Sequence, residues 1–258
     1  MNPVVKRTIT ALTVAAFVVC SLIYLPLAAV LPVMLLLVLL VQLEFVQLMA
    51  RKYETMPAVG LLSALAYLVG AVYFPKIPSG QFLIPIVFVM ALFALFGKSA
   101  NPMQKFASTL LGFVYIPMML SYFLWIPESY GMKMLLYIIA IIKVSDMGGF
   151  AFGKAFGKHK MCPSISPKKS WEGFAGSIFA SCLVSSAFMP LTGFCWCKTI
   201  AFGVAAATVG TLGDLVESRF KREVDVKDSA TFMPAGMGGF LDMFDSLIFA
   251  PAIFYYFI

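Results

Sequence analysis

Apolar stretches about twenty residues long recur from one end of this sequence to the other, separated by short polar breaks. A helix that crosses the hydrocarbon core of a bilayer needs roughly 20 mainly apolar residues. Nine stretches meet that length, at about 8–25, 27–50, 57–75, 81–97, 106–126, 132–153, 171–191, 193–216 and 240–258. Composition agrees. Of 258 residues, 61% are hydrophobic and 12% charged, and the mean hydropathy is +0.94. Soluble domains carry about 25% charged residues, so a water-soluble fold is excluded and lipid must be the solvent for most of this surface. The expected class is an all-α, polytopic integral membrane protein with about nine transmembrane helices. Residues 1–30 resemble a signal peptide, with Lys6 and Arg7 ahead of an apolar run. Pro26 is followed at once by another span, so an uncleaved first helix is expected.

The basic residues set the orientation. With the N-terminus in the cytoplasm and the spans alternating, 15 Lys and Arg fall on the inside and three, Lys76, Lys133 and Lys198, on the outside. Lys143 falls within a span. Cytoplasmic segments of membrane proteins carry this excess. The tally predicts a cytoplasmic N-terminus and two polar, glycine-rich cytoplasmic loops, at about 154–170 and 217–239. Residues 1–130 then form an N-terminal helical region, and 131–258 carry both loops. The net charge of +7 is accounted for by topology, anionic lipid and anionic substrates, with no need for nucleic acid. Five cysteines and a single histidine make a zinc site unexpected.

Acids inside lipid are costly and mark function. Six gather towards the predicted cytoplasmic face: Glu44, Asp146, Asp214, Glu217, Asp242 and Asp245. Asp214, Ser218 and Lys221 share a helical face at i, i+4 and i+7, and Asp242 and Asp245 project together at i, i+3. Paired carboxylates suit Mg²⁺, which completes its shell with water and phosphate oxygens. Asp242 could equally cap the helix that it opens. Lys221, Arg222 and Lys227 in one loop, with Lys158, Lys160, Lys168 and Lys169 in the other, offer charge to phosphates or to lipid headgroups. Gly236, Gly238 and Gly239 could bring backbone N–H groups close to phosphate. Gly148 to Lys154 spell GGFAFGK, but Ala155 stands where a P-loop needs Ser or Thr, and an apolar span replaces the preceding strand.

Residues 213–246, GDLVESRFKREVDVKDSATFMPAGMGGFLDMFDS, and 145–176, SDMGGFAFGKAFGKHKMCPSISPKKSWEGFAG, resemble the signature stretches of the phosphatidate cytidylyltransferase family. Ser218, Lys221, Arg222, Lys227, Asp228, Gly238, Gly239, Asp242, Asp245 and Ser246 match the first. Asp146, Ser166, Lys168, Lys169, Trp171 and Glu172 are among the matches to the second. Met237 stands where that family usually has His and Met243 where it usually has Arg, and one extra residue lies between Asp228 and the paired glycines. The resemblance implies transfer of CMP from CTP to phosphatidic acid, giving CDP-diacylglycerol and pyrophosphate in phospholipid biosynthesis. It implies Mg²⁺ on Asp214 and Asp242 with Asp245 in support, and a second monovalent ion such as K⁺. Lys221, Arg222, Lys227 and Asp228 are the implied catalytic group. Ser166, Lys168, Lys169, Ser218, Gly238 and Gly239 are the implied substrate contacts, with Asp146, Glu172 and Glu44 as further candidates. The implied setting is a bacterial inner membrane with membrane lipids as partners, the site facing the cytoplasm, and a homodimer is an assembly such a chain could form. A CTP-dependent polyprenol or phytol kinase and an ion-coupled transporter are the alternative readings.

Overall fold

Proline and glycine punctuate a chain of helices. The computed structural model describes residues 20, 24–74, 79–226, 229 and 239–258. Helix α1 (Leu27–Met49) follows Pro26, α2 (Pro57–Tyr73) opens on a proline, and α3 (Ser79–Phe96) follows. Helix α4 (Pro102–Phe113) runs through a π-helical turn (Val114–Met118) towards α5 (Tyr122–Tyr130). Pro117 lies in that turn. A proline ring crowds the carbonyl four residues earlier and offers no N–H, and a wider turn relieves both problems. Then come α6 (Met132–Phe156), an antiparallel hairpin of β1 (Lys160–Cys162) and β2 (Ser166–Ser170), α7 (Trp171–Ala187), the short α8 (Met189–Thr192) and the long α9 (Trp196–Glu223). The last segment is broken: α10 (Phe240–Phe244), a 3₁₀ turn (Asp245–Leu247) and α11 (Ala250–Phe257).

The all-α expectation holds, with one small hairpin added. Among the described residues, five helical segments are long and apolar enough to cross a membrane: Leu27–Met49, Pro102–Tyr130, Met132–Phe156, Trp196–Glu223 and Phe240–Phe257. Pro57–Tyr73 and Gly80–Phe96 are apolar but shorter. The span expected at 8–25 lies almost wholly outside the described residues. Large apolar side chains such as Leu62, Ile84, Phe88, Phe93, Phe179 and Leu212 point outwards, as lipid permits and water does not. Helix α9 continues through Glu223, so Glu217, Ser218, Lys221 and Arg222 are helical residues rather than members of the loop expected at 217–239.

The interior is built around α6 and α9. Leu135, Ile138, Ile141 and Ile142 of α6 are buried, and Phe202 of α9 stacks on Phe254 of α11 with centroids 4.9 Å apart. Helix α7 joins them through hydroxyls. Ser181 donates to the Gly203 carbonyl and Ser185 to the Thr199 carbonyl, each at 2.7 Å. Helices α6 and α7 approach so closely that a Cβ on Gly149 would collide with the Ser177 hydroxyl, and one on Gly148 with Ala180. Leucine at 149 should cost about 1–3 kcal/mol by overpacking, read as a lower midpoint of thermal unfolding in detergent, whereas leucine at the outward Ala175 should leave the midpoint unchanged.

Candidate active site

The close α6–α7 crossing and the hairpin that joins them frame one side of a cavity of about 620 Å³, and α9 with the broken last segment frames the other. Asp146, Ser166, Lys168, Lys169, Asp214, Asp242 and Asp245 all line it, together with Lys143, Lys154 and Lys160. These residues come from α6, both strands, α9, α10 and the 3₁₀ turn. Gly213 permits the approach of that turn, because a Cβ there would lie 2.5 Å from the Asp245 carbonyl oxygen.

Three carboxylates converge at the α9 wall. Asp214, Glu217 and Asp245 each offer an oxygen within 4.8 Å of the others. Glu217 is fully buried, and its Oε1 has no hydrogen-bond partner among the described residues. A buried carboxylate oxygen without a donor is expensive. Hard oxygens gathered this closely fit a divalent cation of the Mg²⁺ type. Tyr115, carried by the π-helical turn, lies in the field of the same three acids, and among the described residues its buried hydroxyl likewise has no hydrogen-bond partner.

Asp242 and Asp245 part company, although their i, i+3 spacing suggests one shared face. The helix breaks into a 3₁₀ turn at Asp245, which swings that carboxylate towards α9. Asp242 turns back on its own N-terminus. Its Oδ2 accepts from the Gly239 N–H at 2.7 Å and from the Ser229 hydroxyl and N–H at 3.0 and 3.3 Å. Its Oδ1 pairs with Lys221 Nζ at 2.6 Å, and the same ammonium reaches Glu217 at 2.5 Å. Asp242 therefore caps a helix and positions Lys221. Glu44 supports this turn from α1: fully buried, it accepts from the Leu241 N–H at 2.9 Å.

Three further cations, Lys169, Lys143 and Arg222, have defined partners. Lys169 pairs with Asp214 at 2.9 Å and donates to the Thr211 carbonyl at 2.8 Å. Ser218 donates to Asp214 at 3.2 Å. Lys143 pairs with Asp146 at 3.7 Å, and Asp146 accepts from Ser246 at 2.8 Å. Arg222 is exposed and donates to the Val226 carbonyl at 3.2 Å, outside the cavity wall. Glu172 ties the base of the hairpin by accepting from the Lys158 and His159 backbone and from the His159 ring. Trp171 is exposed and packs on Phe174. Lys227, Asp228 and Gly238 lie outside the described residues. Two residues gain weight beyond their reading in sequence. Glu217 stands at i+3 from Asp214 on one helical face, a legible signal. Lys143 stands at i−3 from Asp146, a weaker one.

A sequence model of the cytidylyltransferase family matches residues 5–258. The phosphatidate cytidylyltransferase of Staphylococcus aureus (strain COL) is 38% identical over 169 residues, covering 65% of this chain and 64% of that protein. The protein of the same name from Staphylococcus epidermidis (strain ATCC 12228 / FDA PCI 1200) is 34% identical over 217 residues, 80% of each chain. That of Staphylococcus saprophyticus is 35% identical over 170 residues, 65% of this chain and 64% of that protein. The first of these matches thus spans just under two thirds of the relative's length.

Lys221 shares its charge between two carboxylates with its side chain only 12% exposed. Lys221→Met should therefore cost about 3–5 kcal/mol, the usual consequence of stripping a buried carboxylate of its partner. Adding Glu217→Gln should return part of the lost thermal midpoint, because it removes one of the two stranded charges.

Proposed function

The chain belongs to the cytidylyltransferase family, and from that membership and the site just described we propose that it transfers CMP from CTP to phosphatidic acid, yielding CDP-diacylglycerol and pyrophosphate. One observation carries the reading: residues from four separate segments of sequence line a single cavity, which sets Asp214 and Asp245 of the carboxylate triple beside Lys143, Lys168 and Lys169. Two anions must meet for this reaction, and their repulsion makes a site of positive charge the chief requirement. A phosphate oxygen of phosphatidic acid attacks the α-phosphorus of CTP. A new P–O bond forms, the bond from the α-phosphorus to the bridging oxygen breaks, and pyrophosphate leaves with that oxygen. Phosphatidic acid is already ionised, so no general base is required, which separates this reaction from phosphorylation of a lipid alcohol.

Asp214, Glu217 and Asp245 would hold Mg²⁺. When bound, the ion supplies divalent positive charge to the triphosphate oxygens and to the departing pyrophosphate. Lys168 and Lys169, with Ser166 on the same strand, face the cavity as the phosphate-binding edge of the hairpin. Lys169 is already oriented by Asp214 and the Thr211 carbonyl, so little freedom is lost when an anion arrives. Lys221 is held by Glu217 and Asp242 and fixes the relation between α9 and α10. Phe150 and Phe174 on the cavity wall give a lipid tail an apolar approach.

The setting we infer is a bacterial inner membrane, with nine spans, the N-terminus in the cytoplasm and the cavity facing inwards. The excess of Lys and Arg on alternate connections supports it. A cysteine placed at the exposed Ser164 of the hairpin, in a chain with its natural cysteines removed, should react with a membrane-impermeant maleimide in inside-out vesicles and not in intact cells.

Purified protein given labelled CTP, Mg²⁺ and phosphatidic acid should form a labelled CDP-lipid. Formation of a phosphorylated polyprenol with release of CDP would replace this reading with the kinase. Asp245→Asn should lower turnover by about 10²-fold or more and abolish the bound Mn²⁺ signal in electron paramagnetic resonance, while the protein still inserts. Asp242→Asn should also lose turnover, through Lys221 and the α10 cap, yet retain Mn²⁺.

A further inference from the structure

Lys143 lies midway along α6, where it is the one charged residue between Met134 and Ser145. An ammonium within an apolar segment of this kind is costly and is kept where it faces a cavity and oxygen partners. The site provides them. Lys143 Nζ donates to the Met243 carbonyl at 3.0 Å and to the Ser246 hydroxyl at 3.1 Å, and it faces Asp146 Oδ2 at 3.7 Å. Ser246 gives its own proton to Asp146 at 2.8 Å, which leaves its oxygen lone pairs to the ammonium. The Ser246 N–H in turn donates to Asp245 Oδ1 at 2.5 Å, so the ammonium is joined to the carboxylate triple through one residue.

A carbonyl, a hydroxyl and a carboxylate around one positive charge form the donor set that also holds a partly dehydrated potassium ion. Lysine offers the same unit charge on a tether. We propose that the Lys143 ammonium is the resident monovalent cation of this centre, standing where a second, monovalent ion beside the acids would otherwise sit. It offsets the mutual repulsion of Asp146, Asp214 and Asp245 and ties the 3₁₀ turn to α6. Lys143 is thus a positioning residue for the proposed CMP transfer. The proposal takes its chemistry from that reading, but its test does not depend on turnover.

The test compares the full chain with Lys143→Ala, which opens space for an ion, and Lys143→Met, which fills it. Each is purified in choline buffer, and KCl is titrated against choline chloride at equal ionic strength. The wild-type thermal midpoint should not respond to potassium. Lys143→Ala should unfold at lower temperature in choline and regain most of the loss with K⁺, and Lys143→Met should show no recovery. In the CDP-lipid assay the wild type should be indifferent to K⁺. Lys143→Ala should fall by about tenfold or more in kcat without K⁺ and recover with it, with little change in the KM for CTP. A wild type whose midpoint or turnover requires K⁺ would overturn the proposal. So would a Lys143→Ala variant equal to wild type in choline, or one that K⁺ fails to restore. If the wild type makes no CDP-lipid, the CMP-transfer reading falls, and the potassium response of the two midpoints still decides the role of Lys143.

Discussion

One ammonium shared by two carboxylates holds the two halves of the site together. Lys221 on α9 reaches Glu217 on its own helix and Asp242 on α10. In a helical bundle rich in apolar side chains, each of these charges alone would be expensive. Together they bring α10 onto α9, and the rest follows. Asp242 caps α10, Glu44 of α1 fastens the first turn of α10 from behind, and the chain breaks at Asp245 so that its carboxylate meets Asp214 and Glu217. Another fastening lies near the surface, between the α1–α2 connection and the end of α9, where Lys52 and Tyr53 both donate to Glu223 at 2.7 Å.

The opposite wall is built by different physics. Helices α6 and α7 meet through glycine, serine and alanine, and α7 adds hydroxyl bonds to the α9 backbone. Lipid gives little hydrophobic drive for helices to associate, so close van der Waals contact and hydrogen bonds take over that role. Small residues bring the backbones close and leave the larger side chains for the cavity and the outer surface. Charged pairs assemble one wall, small residues the other, and anionic reactants would meet between them.

Much of this was legible in the chain. The apolar runs announced helices because a bilayer tolerates little else. The acids and lysines stood out because lipid makes each of them costly, so their presence needs a reason. Asp146, Asp214 and Asp245 were picked out on that ground, and the structure places all three on one cavity. Less legible was which carboxylates act together. Asp242 and Asp245 are three residues apart, yet Asp242 turns to Lys221 and the Gly239 N–H while Asp245 joins Asp214 and Glu217. Nor does the pattern of Glu217 show that Lys221 binds it while one of its oxygens is left without a donor among the described residues.

By itself, then, the sequence determined the solvent, the helical class and the set of residues that lipid would not retain without a use, since these depend on composition and local spacing. Tertiary structure alone decided the partners: Lys221 with Asp242, Lys169 with Asp214, Lys143 with the Met243 carbonyl and Ser246. Such pairings join segments 21 to 103 residues apart. Their geometry depends on how closely glycine lets helices approach and on where a helix breaks, and neither can be computed from one segment without its neighbours.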